Sequence, residues 1–345
     1  MLRLPPFTYH EPRSLARALK LKAEAGKAGM YVAGGTDLLP NMKRRHQEPT
    51  VVISLAGITK LHGITGSGRR GAGSGERGAV VGAMVTLTEL AAHRQIRQDY
   101  AALAHAAALV STPQLRNMGT FGGNLCLDTR CNYYNQSYEW RKAIDFCMKK
   151  DGEICWVAPS SPRCWAVNSS DTAPVVVALD ARLTLFGSEG ERVVRAREFY
   201  RNDGIEYLNK QPDDILTEVR LPPPKGWDAT YWKLRRRGSF DFPVLGVAAW
   251  IRWDGNVVAD ARIVLGAVAS YPVEMTDAAA EIIGSKLEDE AIAAAAELAY
   301  RPTKPMDNTD HGLTWRKEMT RNYVSGALRE LRERVPTVSG ARVIR

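Results

Sequence analysis

The chain has 345 residues, with 47 Lys and Arg against 38 Asp and Glu, and 45% of its residues are apolar. This composition excludes a disordered or collagen-like chain, and the length predicts two or three domains. No stretch approaches the roughly 18 apolar residues that cross a bilayer, so we expect a cytoplasmic protein that does not enter a membrane. The net charge of +9 comes from short scattered runs without interleaved aromatics, which argues against nucleic-acid binding.

The first elements place a glycine turn between a strand and a helix. Residues 14–25 predict a helix with Ser14 as N-cap and Gly26 as its stop. A strand over 30–33 then leads into Gly34-Gly35-Thr36-Asp37, a helical turn from Leu38 and a second strand over 51–55. Such a turn can offer backbone N–H groups to a phosphate, or it can be a tight turn whose glycines only permit positive φ; the residues alone leave both readings open.

A glycine-rich stretch over 63–78 contains a formal G-x-G-x-x-G at Gly66, Gly68 and Gly71. The dinucleotide motif requires a helix directly after it, whereas a β-like run over 79–87 follows here. We therefore predict a flexible hairpin loop. The alanine-rich residues 88–110 predict one or two helices, and a second glycine turn follows at 120–124.

All five cysteines lie in one segment, at Cys126, Cys131, Cys147, Cys155 and Cys164, with intervals of 5, 16, 8 and 9. The odd count and the expected cytoplasmic location disfavour disulfides. Zinc usually shows paired knuckles, to which only the first interval comes close, while iron–sulfur spacings vary more between families. Cluster, zinc and unligated thiols all remain open. The segment also carries aromatics that either exclude water from a cluster or form a small local core: Tyr133, Tyr134, Tyr138, Trp140, Phe146 and Trp156.

The remainder of the chain reads mainly as strands followed by helices. Residues 167–187 predict two strand-like runs bridged by Asp180-Ala181, and 215–221 predict another strand. The prolines at 222–224 mark a domain boundary, after which 230–268 predict an antiparallel meander that turns at Asp254-Gly255. Helices are expected over 286–300 and 314–335, the second with a core-facing stripe at Met319, Tyr323, Ala327, Leu331 and Val335.

The two glycine turns, Ala33-Gly34-Gly35-Thr36-Asp37 and Thr120-Phe121-Gly122-Gly123-Asn124, are followed by Ser170-Asp171-x-x-Pro174. This ordered set resembles the FAD-binding subunit or domain of the molybdenum hydroxylases, the family of xanthine dehydrogenase and aerobic carbon monoxide dehydrogenase. The likeness runs from Pro5-x-x-x-Tyr9 through Arg116-Asn117-x-Gly119-Thr120 to Trp315-Arg316. It implies an α+β fold: a two-subdomain FAD-binding module (vanillyl-alcohol-oxidase/PCMH-like) and a C-terminal α+β domain. We place these parts at 1–57, 58–224 and 225–345.

Most members pass directly from the second turn to the Ser-Asp element, whereas about 40 residues intervene here. This cysteine insertion, residues 126–166, looks like that of the β subunits of 4-hydroxybenzoyl-CoA reductases, in which it carries a [4Fe-4S] cluster. The resemblance implies four ligands, Cys131, Cys147, Cys155 and Cys164, and leaves Cys126 as a small residue beside the flavin turn.

The resemblance also implies the FAD contacts. The first turn would contribute Val32, Ala33, Gly34, Gly35, Thr36, Asp37 and Leu38, and the second Thr120, Phe121, Gly122, Gly123 and Asn124. Backbone N–H groups of both turns would bind the pyrophosphate. Asp171 would contact the flavin or its ribityl chain, Lys233 would lie near the flavin, and Leu216 would contact the adenine. On their own, Asp171 would read as a turn or N-cap aspartate and Lys233 as a surface charge.

The implied function is electron relay without substrate chemistry. Electrons would pass from reduced ferredoxin to the [4Fe-4S] cluster and FAD. They would then go to [2Fe-2S] clusters on a small subunit and to molybdenum on a large subunit, where 4-hydroxybenzoyl-CoA loses its phenolic hydroxyl. The assembly would be a heterohexamer with two copies of each subunit. The alternatives are the FAD subunit of a xanthine- or aldehyde-type enzyme and a zinc-stapled flavoprotein interaction subunit. Basic residues near the cluster are expected to steer the acidic ferredoxin: Arg130, Arg141, Lys142, Lys149, Lys150 and Arg163.

Overall fold

A computed structural model describes residues 3–67, 78–224 and 226–334. Its strands form three sheets that follow one another along the chain: a three-stranded, a five-stranded and a four-stranded sheet. Among the described residues no helix is both long and apolar enough to cross a membrane.

The first sheet is parallel, in the order β1-β3-β2. Helix α1 (Leu15–Ala25) connects β1 (Thr8–His10) to β2 (Gly29–Val32), and α2 (Leu38–Lys43) connects β2 to β3 (Val51–Ser54). The prediction for α1 is confirmed, because Ser14 Oγ accepts the Arg17 amide N–H and Gly26 takes a φ of +54° at the end. Because the three strands are parallel, their carboxyl ends lie at the same edge of the sheet. The turn that follows β2 and the start of α2 lie at this edge.

The second sheet is antiparallel, in the order β4-β5-β8-β6-β7. Its strands are β4 (Ile64–Ser67), β5 (Gly78–Gly82), β6 (Arg182–Gly187), β7 (Gly190–Arg195) and β8 (Ile215–Leu221). The centre of the predicted hairpin loop, residues 68–77, lies outside the described residues. The β-like run over 79–87 forms a strand only as far as Gly82.

Short helices cover this sheet, and the largest core lies between them and the strands. They are α3 (Leu87–Ala92), α4 (Arg94–Asp99), α5 (Ala101–Leu109), α6 (Pro113–Arg116), α7 (Phe121–Leu125), α9 (Thr172–Ala178) and α10 (Ala196–Phe199), whereas α8 (Tyr138–Ala143) lies in the cysteine insertion. Where one or two helices were expected over 88–110 there are three, because the backbone is extended at His93 and leaves the helical region at Tyr100.

The strand predicted within 167–179 is wrong, because α9 occupies it. All seven of its residues are buried, so its Val175-Val176-Val177 run carries no periodicity that distinguishes a strand from a fully buried helix. Pro174 lies in the first turn of α9, where a missing amide N–H breaks no helical hydrogen bond.

The third sheet is the predicted antiparallel meander, in the order β12-β11-β10-β9. Its strands are β9 (Trp227–Leu234), β10 (Leu245–Asp254), β11 (Val257–Gly266) and β12 (Val273–Glu274), with Gly255 at a φ of +61° between β10 and β11. Helices α11 (Thr276–Ile282), α12 (Asp289–Tyr300) and α13 (Leu313–Glu333) pack on one face and close a second core. In the predicted stripe of α13, Ala327 and Leu331 are buried, and Met319 and Tyr323 are half-buried. Val335 lies outside the described residues.

The two ends of the cysteine insertion are joined at a neck, which is formed by Arg130 and Val167. Arg130 and Val167 form an isolated antiparallel bridge in which each amide donates to the other residue's carbonyl, at 2.8 and 2.7 Å. Between these two residues the chain forms a small core that contains Cys131, Tyr134, Cys147, Cys164 and Ala166. The insertion is therefore a closed loop with its own interior.

Candidate functional site

A cavity of about 890 Å³ opens at the edge where β2 ends and α2 begins. Both glycine turns line it, together with residues that follow Tyr207 and residues 240–242. The predicted site residues that line it are Val32, Ala33, Gly34, Gly35, Thr36, Asp37, Leu38, Thr120, Gly122, Gly123, Asn124, Asp171 and Leu216. Phe121 and Lys233 do not line it: the Phe121 ring is fully buried in the main core, and Lys233 lines a second cavity.

The first glycine turn presents a row of free amides to this cavity. Within the described residues, the amide N–H groups of 34–38 donate to no protein acceptor, and the first bond of α2 is Leu39 N to Gly35 O at 3.2 Å. Gly35 adopts a φ of +73°, which only glycine takes without strain. Successive free N–H groups in a turn form a concave surface suited to phosphate oxygens.

Gly34 brings the first turn against Met118 and Gly119, the two residues directly before the second turn. A Cβ atom on Gly34 would overlap the Met118 carbonyl oxygen and lie 2.5 Å from the carbonyl carbon and 3.0 Å from the Gly119 nitrogen. These are backbone atoms, so a side chain at this position would push the first turn away from the second. The glycine is therefore required by close backbone approach.

The amides of the second turn are already used inside the protein. Phe121 N donates to Val85 O at 2.8 Å, Gly122 N to Ala83 O at 2.9 Å, and Gly123 N to Thr120 Oγ1 at 3.0 Å. The two turns thus differ: the first carries free donors, and the second forms a closely packed wall.

Asp171 lies at the buried side of the cavity and is held by two neighbours. Its carboxylate accepts from Tyr231 Oη and from Lys233 Nζ, both at 2.9 Å. Burial raises the pKa of Asp171, and the Lys233 ammonium opposes that rise. Lys233 also donates to Leu109 O at 3.0 Å and lines a separate cavity of about 450 Å³. It therefore contacts the candidate site only through Asp171.

The Ser-Asp element is fastened to the second turn by one side chain. Asn124 Oδ1 accepts from Ser170 Oγ at 2.8 Å and from Thr172 Oγ1 at 2.6 Å. All three residues are buried. This contact fixes Asp171 relative to the second turn, although the cysteine insertion separates the two in sequence.

Two family models match the chain in succession. Residues 5–224 match the FAD binding domain in molybdopterin dehydrogenase, and residues 229–331 match the CO dehydrogenase flavoprotein C-terminal domain. The chain belongs to the FAD-binding subunits of the molybdenum hydroxylases. The family resemblance and the predicted α+β fold are confirmed.

Individual relatives agree with this assignment. The aldehyde oxidoreductase FAD-binding subunit PaoB of Escherichia coli K12 is 34% identical over 285 residues, which is 79% of this chain and 85% of the relative. The carbon monoxide dehydrogenase medium chain of Hydrogenophaga pseudoflava is 27% identical over 325 residues, covering 94% and 96%. The structure of reconstituted CO dehydrogenase from Oligotropha carboxidovorans superposes with a TM-score of 0.77 at 26% identity, covering 96% of this chain and 99% of that one.

In this molybdenum-hydroxylase subunit the four cysteines after Cys126 lie together and are buried. Cys131, Cys147 and Cys164 share the core of the insertion, and the Cys155 and Cys164 thiols are within hydrogen-bond reach of each other. The neighbouring Cys164 thiol lowers the pKa of Cys155, while burial raises the pKa of Cys131 to about 11. Cys126 stays apart and lines the flavin cavity, and burial raises its pKa to about 11.

The described residues contain no group of three or more His, Cys, Asp or Glu side chains compact enough to hold a metal ion. Within the described part of the chain, the arrangement of the four thiols therefore does not by itself support the predicted [4Fe-4S] cluster.

The prediction of a basic docking face near these thiols is wrong for Arg130, Arg141 and Lys149. Arg130 and Arg141 are buried, and the Lys149 side chain, which is only 6% exposed, donates to Asp128 Oδ1 at 2.8 Å and to Thr129 Oγ1 at 2.7 Å. The more accessible cations, Lys142, Lys150 and Arg163, are accompanied by exposed acids at Glu139, Asp145, Asp151 and Glu153. The insertion's surface therefore has no excess of positive charge.

Several residues that line the cavity gave no sequence signal. Tyr207 and Phe242 lie far along the chain from either glycine turn, and their neighbours form no recognisable motif. Asp128 lies four residues after the end of the second turn and could have been found from its position at the start of the insertion.

Proposed function

We propose that this chain is the electron-transfer subunit, with FAD and a [4Fe-4S] cluster, of a molybdenum-containing 4-hydroxybenzoyl-CoA reductase. The observation that carries the proposal is the set of four buried thiols inside an insertion placed between two flavin motifs. The chain would receive electrons from ferredoxin and relay them to a small [2Fe-2S] subunit and a large molybdenum subunit, in a heterohexamer. There, two electrons and two protons would convert 4-hydroxybenzoyl-CoA to benzoyl-CoA and water.

The chain's own residues supply binding and orientation for FAD, which can exchange one or two electrons when bound. In the proposal, the amides of 34–38 bind the pyrophosphate, and Thr120, Gly122 and Gly123 form the opposite wall. Asp171 orients the flavin or ribityl chain, Leu216 contacts the adenine, and Lys233 holds Asp171. The domain division at 57/58 and 224/225 is part of the same proposal.

The chemistry of the donor set supports a cluster at Cys131, Cys147, Cys155 and Cys164. Thiolates are the ligands of iron–sulfur clusters, and Tyr134, Tyr133 and Trp156 pack around the thiols and limit access of water.

The position of the insertion supports electron exchange with the flavin. Tyr134 packs against the cysteines and donates to Asp128 Oδ2 at 3.3 Å, and Asp128 lines the flavin cavity. A single pair of side chains thus spans the distance from the thiols to the cavity.

A second candidate is the FAD subunit of an aldehyde oxidoreductase. The 34% identity to the E. coli subunit of that name favours it. The two candidates differ in the substrate of the partner subunit and in the direction of electron flow. We would purify the whole complex and assay 4-hydroxybenzoyl-CoA with reduced ferredoxin, and aromatic and aliphatic aldehydes with an electron acceptor; the favoured substrate decides between them.

The cofactor content can be tested on the chain itself, purified without oxygen. We expect about four irons and one FAD per chain, with an iron–sulfur EPR signal after reduction. Cys147→Ser should lose the iron, and Cys126→Ser, the matched control outside the group of four, should keep it. Zinc without iron would refute the cluster and leave the zinc-stapled alternative.

A further inference from the structure

Arg130 closes the neck of the cysteine insertion with its backbone. Its bridge to Val167 joins the two ends of the loop that contains Cys131, Cys147, Cys155 and Cys164. Cys131 is the next residue along the chain. Any shift of the Arg130 backbone therefore moves one thiol directly and loosens the neck that holds the other three.

The Arg130 side chain binds the first flavin turn. Its guanidinium pairs with Asp37 Oδ1 and donates to Asn41 Oδ1 at 3.1 Å, and Asn41 Nδ2 donates to Asp37 Oδ2 at 3.1 Å. These three side chains form a closed ring of polar contacts at the start of α2. The Phe242 ring, which lines the flavin cavity, lies 5.2 Å from the guanidinium carbon.

The guanidinium has little access to water, since Arg130 is only 6% exposed. A buried cation that loses its carboxylate is strongly destabilised, so Arg130 requires Asp37 to stay in place. Asp37 in turn belongs to the stretch 34–38 whose free amides face the cavity. The position of Arg130 and the shape of the flavin turn thus depend on each other.

Further contacts seat the insertion on the segment that follows α2. Arg141 donates to Arg45 O at 3.4 Å, and His46 Nε2 donates to Gln136 O at 3.2 Å. The His46 ring stacks on Tyr134 with 4.4 Å between ring centroids. Helix α2 and residues 44–46 therefore lie against the insertion, and the turn that precedes α2 lines the flavin cavity.

We propose that Arg130 is a positioning residue that couples the flavin site to the four-thiol site. When FAD orders the 34–38 turn, Asp37 is fixed, and Asp37 in turn fixes Arg130, the neck and the thiols. When a ligand fills the thiol site, the neck is fixed first, and Arg130 then fixes Asp37 and the turn. The two affinities are linked reciprocally, as thermodynamics requires of any such coupling. The coupling to a cluster rests on the proposed function, whereas the coupling of FAD to the thiols does not.

The thiol arm of the test uses the full-length chain without metal. A Cys126→Ser background removes the one thiol that FAD would shield directly. Iodoacetamide alkylation of the four other cysteines is followed by peptide mass spectrometry with and without saturating FAD. We expect FAD to slow alkylation about fivefold or more, in the range of typical coupling between sites, and Arg130→Met to abolish this protection.

Arg332→Met is the control, because Arg332 also pairs with an aspartate, Asp289, and donates to Leu287 O at 3.0 Å near the end of α13, away from both sites. It should keep full protection. In Arg130→Lys, the ammonium group can pair with Asp37 but cannot bind Asp37 and Asn41 together as the planar guanidinium does. This variant should therefore show partial protection of the thiols by FAD. If Arg130→Met fails to fold, the test uses Arg130→Lys and Asp37→Asn instead. We expect FAD to protect the thiols of both variants less than those of the parent chain, while their far-UV circular dichroism is unchanged.

The second arm compares FAD dissociation constants of the iron-loaded and iron-free chain by flavin fluorescence. We expect tighter FAD binding in the loaded chain, with the difference lost in Arg130→Met and kept in Arg332→Met. Equal alkylation rates with and without FAD in the parent chain would overturn the coupling. Full protection in Arg130→Met would overturn the role of Arg130. A chain that binds no iron but shows FAD protection refutes the proposed cluster and supports the coupling.

Discussion

Gly34→Ala tests whether close approach of the two glycine turns holds the flavin cavity in shape. The new Cβ would lie 2.5 Å from the Met118 carbonyl carbon, and carbon atoms are normally separated by about 3.5–4.0 Å. The two backbones must therefore separate by about 1 Å or more. Overpacking of this kind costs about 1–3 kcal/mol, and neither backbone segment can avoid the clash by changing a rotamer.

The first turn can relax outward in the free chain, so most of this cost should appear when FAD draws the turn back. We expect FAD binding to weaken by a factor of about 5–150, since each 1.4 kcal/mol is tenfold in affinity. The assay is titration of flavin fluorescence, with urea unfolding of the FAD-free chain as the check on global stability. Gly312→Ala is the control, because a Cβ there meets no atom within 4 Å and Gly312 has an ordinary φ of −64°. Parental FAD affinity in Gly34→Ala would refute the reasoning.

Three further predictions concern the insertion. Lys149→Met leaves the buried Asp128 carboxylate without its cation, so we expect it to lower the free energy of unfolding in urea by about 3–5 kcal/mol. The control Lys150→Met should change this free energy by no more than about 0.5 kcal/mol. Burial lowers the pKa of His46 to about 4 from its ordinary 6.5, so the neutral ring's stabilisation is complete above pH 6.5 and is lost as the pH falls to about 4. The free energy of unfolding in urea should fall by an amount of the order of 3 kcal/mol between pH 6.5 and 4, and His46→Gln should remove this fall. If the variant keeps the parental pH profile, His46 is not the group responsible. Gly204→Ala would place a Cβ 2.6 Å from Cys164 Sγ, so we expect it to lower the iron bound per chain while FAD stays bound, and equal iron content by elemental analysis would speak against the packing argument.

The sequence by itself was sufficient for the family and for the local elements. Ser14 and Gly26 delimit α1 because capping and positive φ are local properties, and Gly255 marks the turn between β10 and β11 for the same reason. The two glycine turns are recognisable because only glycine permits the φ of Gly35 and the backbone approach of Gly34. The position of the cysteines located the insertion, and the family resemblance set Cys126 apart from the other four.

The tertiary structure decided which side chains meet across long stretches of sequence. Charged residues on the insertion looked like a docking surface, yet Arg130 and Lys149 are buried because Asp37 and Asp128 neutralise them inside the fold. Lys233 lies behind Asp171 and not on the cavity, since the direction in which a strand residue points depends on the sheet's packing. Helix α9 was missed because a fully buried apolar run has no polar face to reveal its period. Burial and pairing depend on the folded arrangement of distant residues, and therefore only the tertiary structure could show that the cysteine insertion and the flavin turn share Arg130.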